Sequence, residues 1–237
     1  MDTLLTLLYK NNLFYKINLL LTITIAVFLC VLSRTEGFIF LNSFHTKNLK
    51  IFFQNITFLG DGMFTFLVSS VILVFFKKHK KLALLLVLAY LVSGLFSQIF
   101  KTIITAPRPS VYFAVHKYKF YLDTFVNSRV GFRSFPSGHS ASAFAMATIF
   151  STYFTSKRVS VFSLVFGLLI GYSRIYLAHH FLIDVLGGAL IGILFASLSI
   201  AWYDPISLKI VKIVTKQSRL ILKPWGTTFP NSSITNG

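Results

Sequence analysis

Acidic residues and cysteine are both scarce in this chain of 237 residues. Six Asp and Glu stand against 23 Lys and Arg, which gives a formal net charge of +17 at pH 7. Cys30 is the single cysteine, so an intramolecular disulfide and a cysteine-based zinc cluster are both excluded. In a soluble protein this charge would suggest nucleic-acid binding, but here the basic residues lie between apolar runs. The excess of basic residues therefore favours an anionic lipid or a phosphate as the partner, not a nucleic acid.

Charged residues of either sign are also few. They make up 12% of the chain, whereas 55% of it is hydrophobic and the mean hydropathy is +0.73. Such a composition fits a water-soluble domain poorly. With only six prolines and as many as 27 phenylalanines, it also excludes a disordered or fibrous chain, because so much apolar surface must be buried. The sequence therefore predicts an integral membrane protein.

Six apolar segments approach the roughly 20 residues that a helix needs to cross a hydrocarbon core of about 30 Å. They are Phe14 to Ser33, Ile56 to Phe76, Leu82 to Phe100, His139 to Phe154, Val159 to Leu177, and Phe181 to Tyr203. We therefore predict an all-α, polytopic bundle of six transmembrane helices. Residues 1–225 would form one membrane-embedded domain, and residues 226–237 a flexible tail.

The distribution of Lys and Arg predicts which side of the membrane each connection faces. The N-terminus, the turn at Lys77–Lys81, the turn at Lys157-Arg158 and the C-terminal tail hold 13 of the 23 basic residues. Because short cytoplasmic connections carry an excess of positive charge, these parts are assigned to the cytoplasm. Both termini would then be cytoplasmic, as an even number of spans requires.

Three polar segments interrupt the apolar chain, and this topology places all of them at the non-cytoplasmic surface. The first runs from Lys101 to Arg108-Pro109, the second is Pro136-Ser137-Gly138-His139, and the third runs from Ser173-Arg174 through His179-His180 to Asp184. Groups that are distant in sequence are therefore expected to converge on one site.

The cations of these segments predict a phosphate-binding pocket. Lys101, Arg108 and Arg174 supply more positive charge than Asp184 can neutralise, so a bound polyanion is the natural counter-charge. The planar fork of arginine suits phosphate oxygens. Free N–H groups at a helix start near Ser137 and Gly138 would favour the same anion.

The histidines of these segments predict phosphoryl-transfer chemistry. Asp184 stands four positions after His180, so on a helix the carboxylate can fix the imidazole tautomer and leave one nitrogen free as a nucleophile. His139 would protonate the leaving oxygen and then activate water. No metal or cofactor is required by this scheme. Two histidines and an aspartate could instead ligate zinc, although the surrounding cations would repel it. His179, five residues from Asp184, faces away from that helix surface and is left out of the site.

Together the three segments resemble the tripartite signature of the type-2 phosphatidic acid phosphatase superfamily. The pattern is Lys, six residues, Arg-Pro; then Pro-Ser-Gly-His; then Ser-Arg, five residues, His, three residues, Asp. It is present in order and with the expected spacing, over about Leu82 to Leu198. The resemblance implies a metal-independent membrane phosphatase of six helices that forms a phosphohistidine intermediate.

The resemblance implies a role for each residue of this chain that matches the family's pattern. His180 would be the nucleophile, Asp184 its orienting partner and His139 the general acid. The phosphate would be held by Lys101, Arg108, Ser137, Gly138 and Arg174. No core position departs from the pattern.

Substrate and setting are predicted less directly. The basic and aromatic loop after Arg108 favours a large anionic headgroup or a pyrophosphate, so we expect lipid A or a polyprenyl pyrophosphate in a bacterial inner membrane, with the site facing the periplasm or exterior. Two other functions stay open: a lipid phosphotransferase, and a non-catalytic lipid-binding protein. Asp61 is interpreted either as a turn or helix-start residue or as support for the site. Residues 37–57 are expected to lie in the membrane interface. The oligomeric state is not predicted.

Overall fold

A computed structural model describes residues 12–117 and 128–221, with side chains for residues 13–117 and 128–203. The chain divides into two units, residues 1–201 and residues 202–237, and the candidate site belongs to the first. The tail predicted to be flexible, 226–237, lies outside the described residues. The single domain over residues 1–225 stays a prediction.

The described residues are helical, in agreement with the predicted all-α class. We number the α-helices in chain order: α1 Asn12–Val31, α2 Arg34–Asn42, α3 Lys47–Ile56, α4 Gly62–Phe75, α5 Lys80–Ile103, α6 Pro109–Val115, α7 Gly138–Phe154, α8 Lys157–Tyr176 and α9 Leu182–Ile221. Short 3-10 helices, Thr57–Gly60 and Lys77–His79, precede α4 and α5. The only pairing of β type in this described part is an isolated bridge between Ala106 and Arg133.

Four helical stretches of the described chain are long and apolar enough to cross a membrane, and the protein is an integral membrane protein. They are Leu13–Val31, Lys77–Ile103, Lys157–Tyr176 and Leu182–Tyr203. The count rises to five if Lys47–Gly60, which is α3 with the 3-10 helix after it, and α4 form one crossing with a bend of 59° at the break between them. Helix α7 is shorter, at 17 residues. The count of six spans and the cytoplasmic termini stay predictions.

Helix α7 is the buried helix of the bundle, which explains its unusual composition. Its Ser137 N-cap side chain accepts a hydrogen bond from Ser140 N, and 12 of its residues are buried. Most of these are Ala, Ser or Thr, because α7 packs against α5 and α8. Small side chains let neighbouring helices approach closely. A helix buried among other helices needs fewer large apolar residues than one that faces lipid.

Helix α9 also approaches α7 closely. A Cβ atom added at Gly188 or Gly192 would lie 2.3 Å from the carbonyl oxygen of Ser137 or Ala141, respectively. Ser137 N also donates a hydrogen bond of 2.9 Å to the carbonyl of Asp184. This close crossing fixes the start of α7, with His139, beside the start of α9, with Asp184.

The second predicted span, Ile56 to Phe76, is not one continuous helix, and where that crossing begins stays a prediction. The chain turns through the 3-10 helix Thr57–Gly60 before α4 starts at Gly62. The physical reason is close packing: a Cβ at Gly60 would lie 2.4 Å from Ile170 and 3.3 Å from the Cβ of His139. Asp61 occupies the position before α4, as one interpretation expected, although its side chain makes no capping hydrogen bond.

Two short helices, α2 and α3, lie within the segment expected at the membrane interface, and they are held against the end of α8. Asn42 Nδ2 donates to the carbonyl of Ile175 at 3.4 Å, and the Tyr172 hydroxyl donates to the carbonyl of Leu41 at 2.9 Å. The placement of this segment in the interface stays a prediction.

Candidate active site

The first and second polar segments are joined by backbone hydrogen bonds. Ala106 N donates to Phe132 O at 2.9 Å, Ser134 N to Ala106 O at 3.0 Å, and Arg108 N to Gly131 O at 2.9 Å. Gly131 has a φ of 131°, a conformation that residues with a side chain rarely adopt. This pairing brings Arg108, which follows α5, next to Ser134, which precedes α7.

The third polar segment reverses direction between α8 and α9. Ala178 adopts the left-handed conformation with a φ of 53°, and the N–H groups of His179 and His180 donate to Arg174 O at 2.9 and 3.1 Å. This arrangement is the Schellman end of a helix, here with alanine where glycine is common. The Asp184 side chain then accepts a hydrogen bond of 2.9 Å from Phe181 N at the start of α9. The turn thereby buries both His180 and Asp184, which are 2% and 0% exposed.

Ser134 connects His180 with Asp184. Its hydroxyl donates to Asp184 Oδ2 at 2.5 Å, and its oxygen lies 3.4 Å from His180 Nδ1. The direct distance from His180 Nδ1 to Asp184 Oδ2 is 3.6 Å. Because the serine proton is committed to the carboxylate, the serine oxygen accepts from His180, which therefore carries its proton on Nδ1. The lone pair of Nε2 is left for chemistry.

Arg108 contacts that unprotonated nitrogen, which is the acceptor in the contact. Its Nη1 is 3.5 Å from His180 Nε2 and donates to the carbonyl of His179 at 2.8 Å. Burial lowers the pKa of the Arg108 guanidinium, but an arginine remains charged at neutral pH. A positive charge therefore sits beside the atom expected to attack phosphorus.

Arg174 is buried with part of its hydrogen-bonding capacity unused. The side chain is 1% exposed, and Nη1 donates to Thr57 Oγ1 at 2.5 Å. Its Nε and Nη2 atoms have no hydrogen-bond partner among the residues that the structure describes. These two atoms point from the same edge of the guanidinium, which is the edge that grips two oxygens of a phosphate or carboxylate. A buried charge with two unused donors is costly unless an anion binds there.

Lys101 and His139 complete the cluster from α5 and α7. The Lys101 Nζ atom lies 3.8 Å from the position that a Cβ on Gly138 would take. Electrostatic interactions link Lys101 with Arg108, Arg174 and Asp184, and link His139 with Arg174 and His180. The structure thus brings all eight predicted site residues to one place: Lys101, Arg108, Ser137, Gly138, His139, Arg174, His180 and Asp184.

Two residues of this cluster, Ser134 and Thr57, were not predicted from the sequence. Ser134 contacts both His180 and Asp184, and Thr57 accepts a hydrogen bond from Arg174. Arg129, from the basic loop predicted to suit a large anionic headgroup, interacts electrostatically with several of the site cations. Nothing in the spacing of the motifs points to Ser134 or Thr57, although Ser134 stands just two residues before Pro136. The left-out His179 contributes its backbone carbonyl to Arg108.

The protonation of His180 is directly testable. Burial lowers the pKa of His180 to about 4, and the Asp184 carboxylate offsets only part of that effect. We expect histidine-selective NMR of the protein in detergent to show a neutral His180 ring at pH 5.5, protonated on Nδ1. The unfolded chain binds this proton near pH 6.5, so the contribution of His180 makes the fold less stable as the pH falls from about 6.5 to 4.

The resonance is assigned by its loss in His180→Asn. A ring that is already cationic at pH 5.5, or one that carries its single proton on Nε2, would contradict the tautomer derived from Ser134.

Comparisons with solved structures support the fold. The chain is 31% identical to LpxE of Aquifex aeolicus, with a TM-score of 0.58 over 69% of this chain and 92% of that one. It is 26% identical to a transmembrane PAP2-type phosphatidylglycerolphosphate phosphatase from Bacillus subtilis, with a TM-score of 0.59 over 84% of this chain and 98% of that one.

Curated relatives match in sequence as well. The undecaprenyl-diphosphatase BcrC of Bacillus subtilis is 32% identical over 41% of this chain and 46% of its own length. Phosphatidylglycerophosphatase B of the same species is 30% identical over 56% and 66%. The chain thus spans about half to two thirds of the length of these relatives. The family model of the PAP2 superfamily matches residues 82–207, more than half of the chain and the whole set of motifs, so this protein belongs to the PAP2 superfamily.

Proposed function

We propose that this protein is a lipid phosphatase, which transfers the phosphate of a lipid phosphate or diphosphate to His180 and then to water. The observation that carries the proposal is the unused edge of Arg174 in the same cluster as a neutral, tautomer-fixed His180. The first feature is suited to holding phosphate oxygens, and the second is suited to attacking phosphorus.

In the first step His180 Nε2 attacks phosphorus. A P–N bond forms while the P–O bond to the leaving group breaks. His139, protonated in the substrate complex, where the bound phosphate offsets the surrounding cations, gives its proton to the leaving oxygen. The Nδ1 proton of His180 stays on the ring, where Ser134 and Asp184 stabilise the positive charge that the ring gains.

In the second step water attacks the phosphohistidine. His139, now neutral, takes a proton from the water as its oxygen bonds to phosphorus, and the P–N bond breaks. Inorganic phosphate and the starting form of both histidines result.

The cations of the cluster would stabilise the transferring group. Charge in phosphoryl transfer is spread over three equatorial oxygens, so the protein contributes mainly position and positive charge. Arg174, Arg108 and Lys101 approach from three different elements, and Ser137 and Gly138 present the start of α7.

The proposed substrate is lipid A or a polyprenyl diphosphate. The similar proteins include LpxE and an undecaprenyl-diphosphatase, and the chain itself carries the exposed Arg129 in the segment that precedes Ser134. We place the protein in a bacterial inner membrane, with the site facing the periplasm or exterior, because the basic turns Lys77–Lys81 and Lys157-Arg158 favour the cytoplasmic side.

The test is phosphate release by the purified protein in detergent with EDTA present. The panel contains undecaprenyl diphosphate, lipid A, phosphatidylglycerophosphate and phosphatidate. We expect release that persists in EDTA and is fastest with the diphosphate or lipid A. Activity on phosphatidate alone would contradict the proposed substrate class.

The same assay separates the two other functions. A phosphotransferase would release little free phosphate until an acceptor lipid is added, and thin-layer chromatography would then show the phosphorylated acceptor. A lipid-binding protein without activity would release no phosphate from any lipid in the panel.

A further inference from the structure

We propose that Arg129 binds a second anionic group of the substrate, next to the phosphate that reacts, and thereby makes the site favour diphosphate esters over monophosphates. This inference rests on the proposed phosphatase function. Arg129 lies outside the three motifs, in the segment that precedes Ser134.

Backbone contacts hold this segment over the site. Gly131 O accepts a hydrogen bond of 2.9 Å from Arg108 N, and Arg129 O accepts one of 3.2 Å from the Ser110 hydroxyl. Arg129 is therefore fixed beside the residues that follow Arg108, whose own side chain reaches His180. The position of Arg129 depends on the same pairing that places Ser134.

The electrostatic surroundings of Arg129 are those of an anion site. Its guanidinium interacts repulsively with Lys101, Arg108 and Arg174, although the side chain itself is exposed. In the described part of the chain no carboxylate forms an ion pair with Arg129, since the one acid–base contact at hand joins His180 and Asp184. Several like charges this close to one another favour binding of an additional negative charge.

The two proposed binding positions differ in how deeply their arginines are buried. Arg174 and Arg108 are 1% and 8% exposed and can contact only a group that reaches the interior of the site, whereas Arg129 is exposed. Arg129 also interacts electrostatically with His139, the proposed acid for the leaving oxygen. In this proposal Arg129 therefore contacts the leaving group, near the residue proposed to protonate the leaving oxygen.

A diphosphate ester places its second phosphate at this position. When His180 attacks the terminal phosphorus, the P–N bond forms and the P–O bond of the anhydride breaks. The leaving group is then the lipid monophosphate, which gains negative charge as it departs. Arg129 would stabilise that charge, and the leaving group of a monophosphate ester, an alcohol, has no phosphate for it to contact.

The experiment compares farnesyl diphosphate with farnesyl phosphate, which share one hydrocarbon tail. We expect Arg129→Gln to reduce kcat/KM for the diphosphate by about 10- to 100-fold, because the variant loses one charged contact to the transition state. The monophosphate should change by less than about threefold. Arg133→Gln is the matched control, because Arg133 is also exposed and lies in the same segment.

Three results would overturn the inference: equal losses on both substrates, no loss on either, or the same selective loss in Arg133→Gln. Failure of the proposed function looks different, since wild-type protein would then release phosphate from neither farnesyl compound. Because Arg129 is exposed, the substitution is not expected to disturb folding, and an unchanged thermal unfolding midpoint checks this.

Discussion

His180→Ala is expected to reduce kcat by about 10⁴-fold or more, the scale seen when a nucleophile is removed from a group that acts as a unit. The structure supplies the reason. His180 Nδ1 is held by Ser134 and lies 3.6 Å from Asp184, so a neutral imidazole presents Nε2 to the pocket. The measurement is phosphate release from the best substrate of the panel.

The covalent intermediate gives a second readout of the same variant. Brief reaction with a ³²P-labelled substrate, followed by alkaline quenching, should leave label on the wild-type protein, because phosphohistidine survives alkali and is lost in acid. His180→Ala should carry no label. Labelled His180→Ala protein, or unchanged phosphate release by it, would rule out the proposed nucleophile.

The His139→Ala variant is expected to differ from His180→Ala in the same labelling experiment. An activated leaving group such as p-nitrophenolate needs no general acid, so with p-nitrophenyl phosphate this variant should still form the phosphohistidine. Its breakdown should be slow, because the same residue is proposed to activate water. Label should therefore accumulate in His139→Ala and be absent from His180→Ala. The opposite pattern would exchange the two roles.

A folding control is needed because His180 is 2% exposed. Removing a buried side chain leaves a cavity and typically costs a few kcal/mol. His180→Asn keeps a polar side chain there and should be equally inactive. Size-exclusion profiles and thermal unfolding then separate loss of chemistry from loss of fold.

The chemistry of the site was predictable because it depends on residue type and on short spacing. Three residues lie between His180 and Asp184, and an arginine stands six positions before His180, so the sequence predicts that these groups lie near one another. The predicted shared helix face is not observed, because His180 lies in the turn before α9 and Ser134 links it to Asp184. The structure adds that these short motifs meet in space: the helix crossing at Gly188 and Gly192 and the pairing of Ala106 with Arg133 bring them together.

The supporting residues were not predictable in the same way. Thr57 is 117 positions from Arg174, and its hydroxyl becomes a partner only because a 3-10 helix packs on α7 and α8 at Gly60. Ser134 lies 50 positions from Asp184. Serine and threonine are common at caps and turns, so their presence carries no signal until the tertiary contact is known.

Hydropathy alone does not identify every helix of the bundle, for a similar reason. Hydropathy identifies helices that face lipid, such as α1, with only 11% of its most apolar window buried. Helix α7 faces other helices and is built from Ala, Ser and Thr, so its length and apolar character fall short of a typical span. The bend before α4 depends on contacts of Gly60 and Gly62 that no local pattern reveals.

Arg174→Lys is expected to reduce kcat/KM by about 10²- to 10³-fold, although it preserves the charge. Arginine can bind Thr57 through Nη1 and still offer Nε and Nη2 to two phosphate oxygens. The single ammonium of lysine cannot do both with fixed geometry. Thr57→Val should have a smaller effect. It keeps the guanidinium of Arg174 but removes the hydroxyl that accepts its hydrogen bond, so kcat/KM is expected to fall by about tenfold.

Phosphate binding gives a readout of Arg174 that does not depend on turnover. Inorganic phosphate that binds the folded state should raise the thermal unfolding midpoint of the wild-type protein, and the rise should be much smaller in Arg174→Lys. His180→Asn, which lacks the nucleophile but keeps the arginine, should retain most of it. Arg174→Lys could instead keep the phosphate-induced rise and an activity within about threefold of wild type. A positive charge alone would then be enough to bind phosphate, and the two unused donors of Arg174 would not be the groups that hold the substrate.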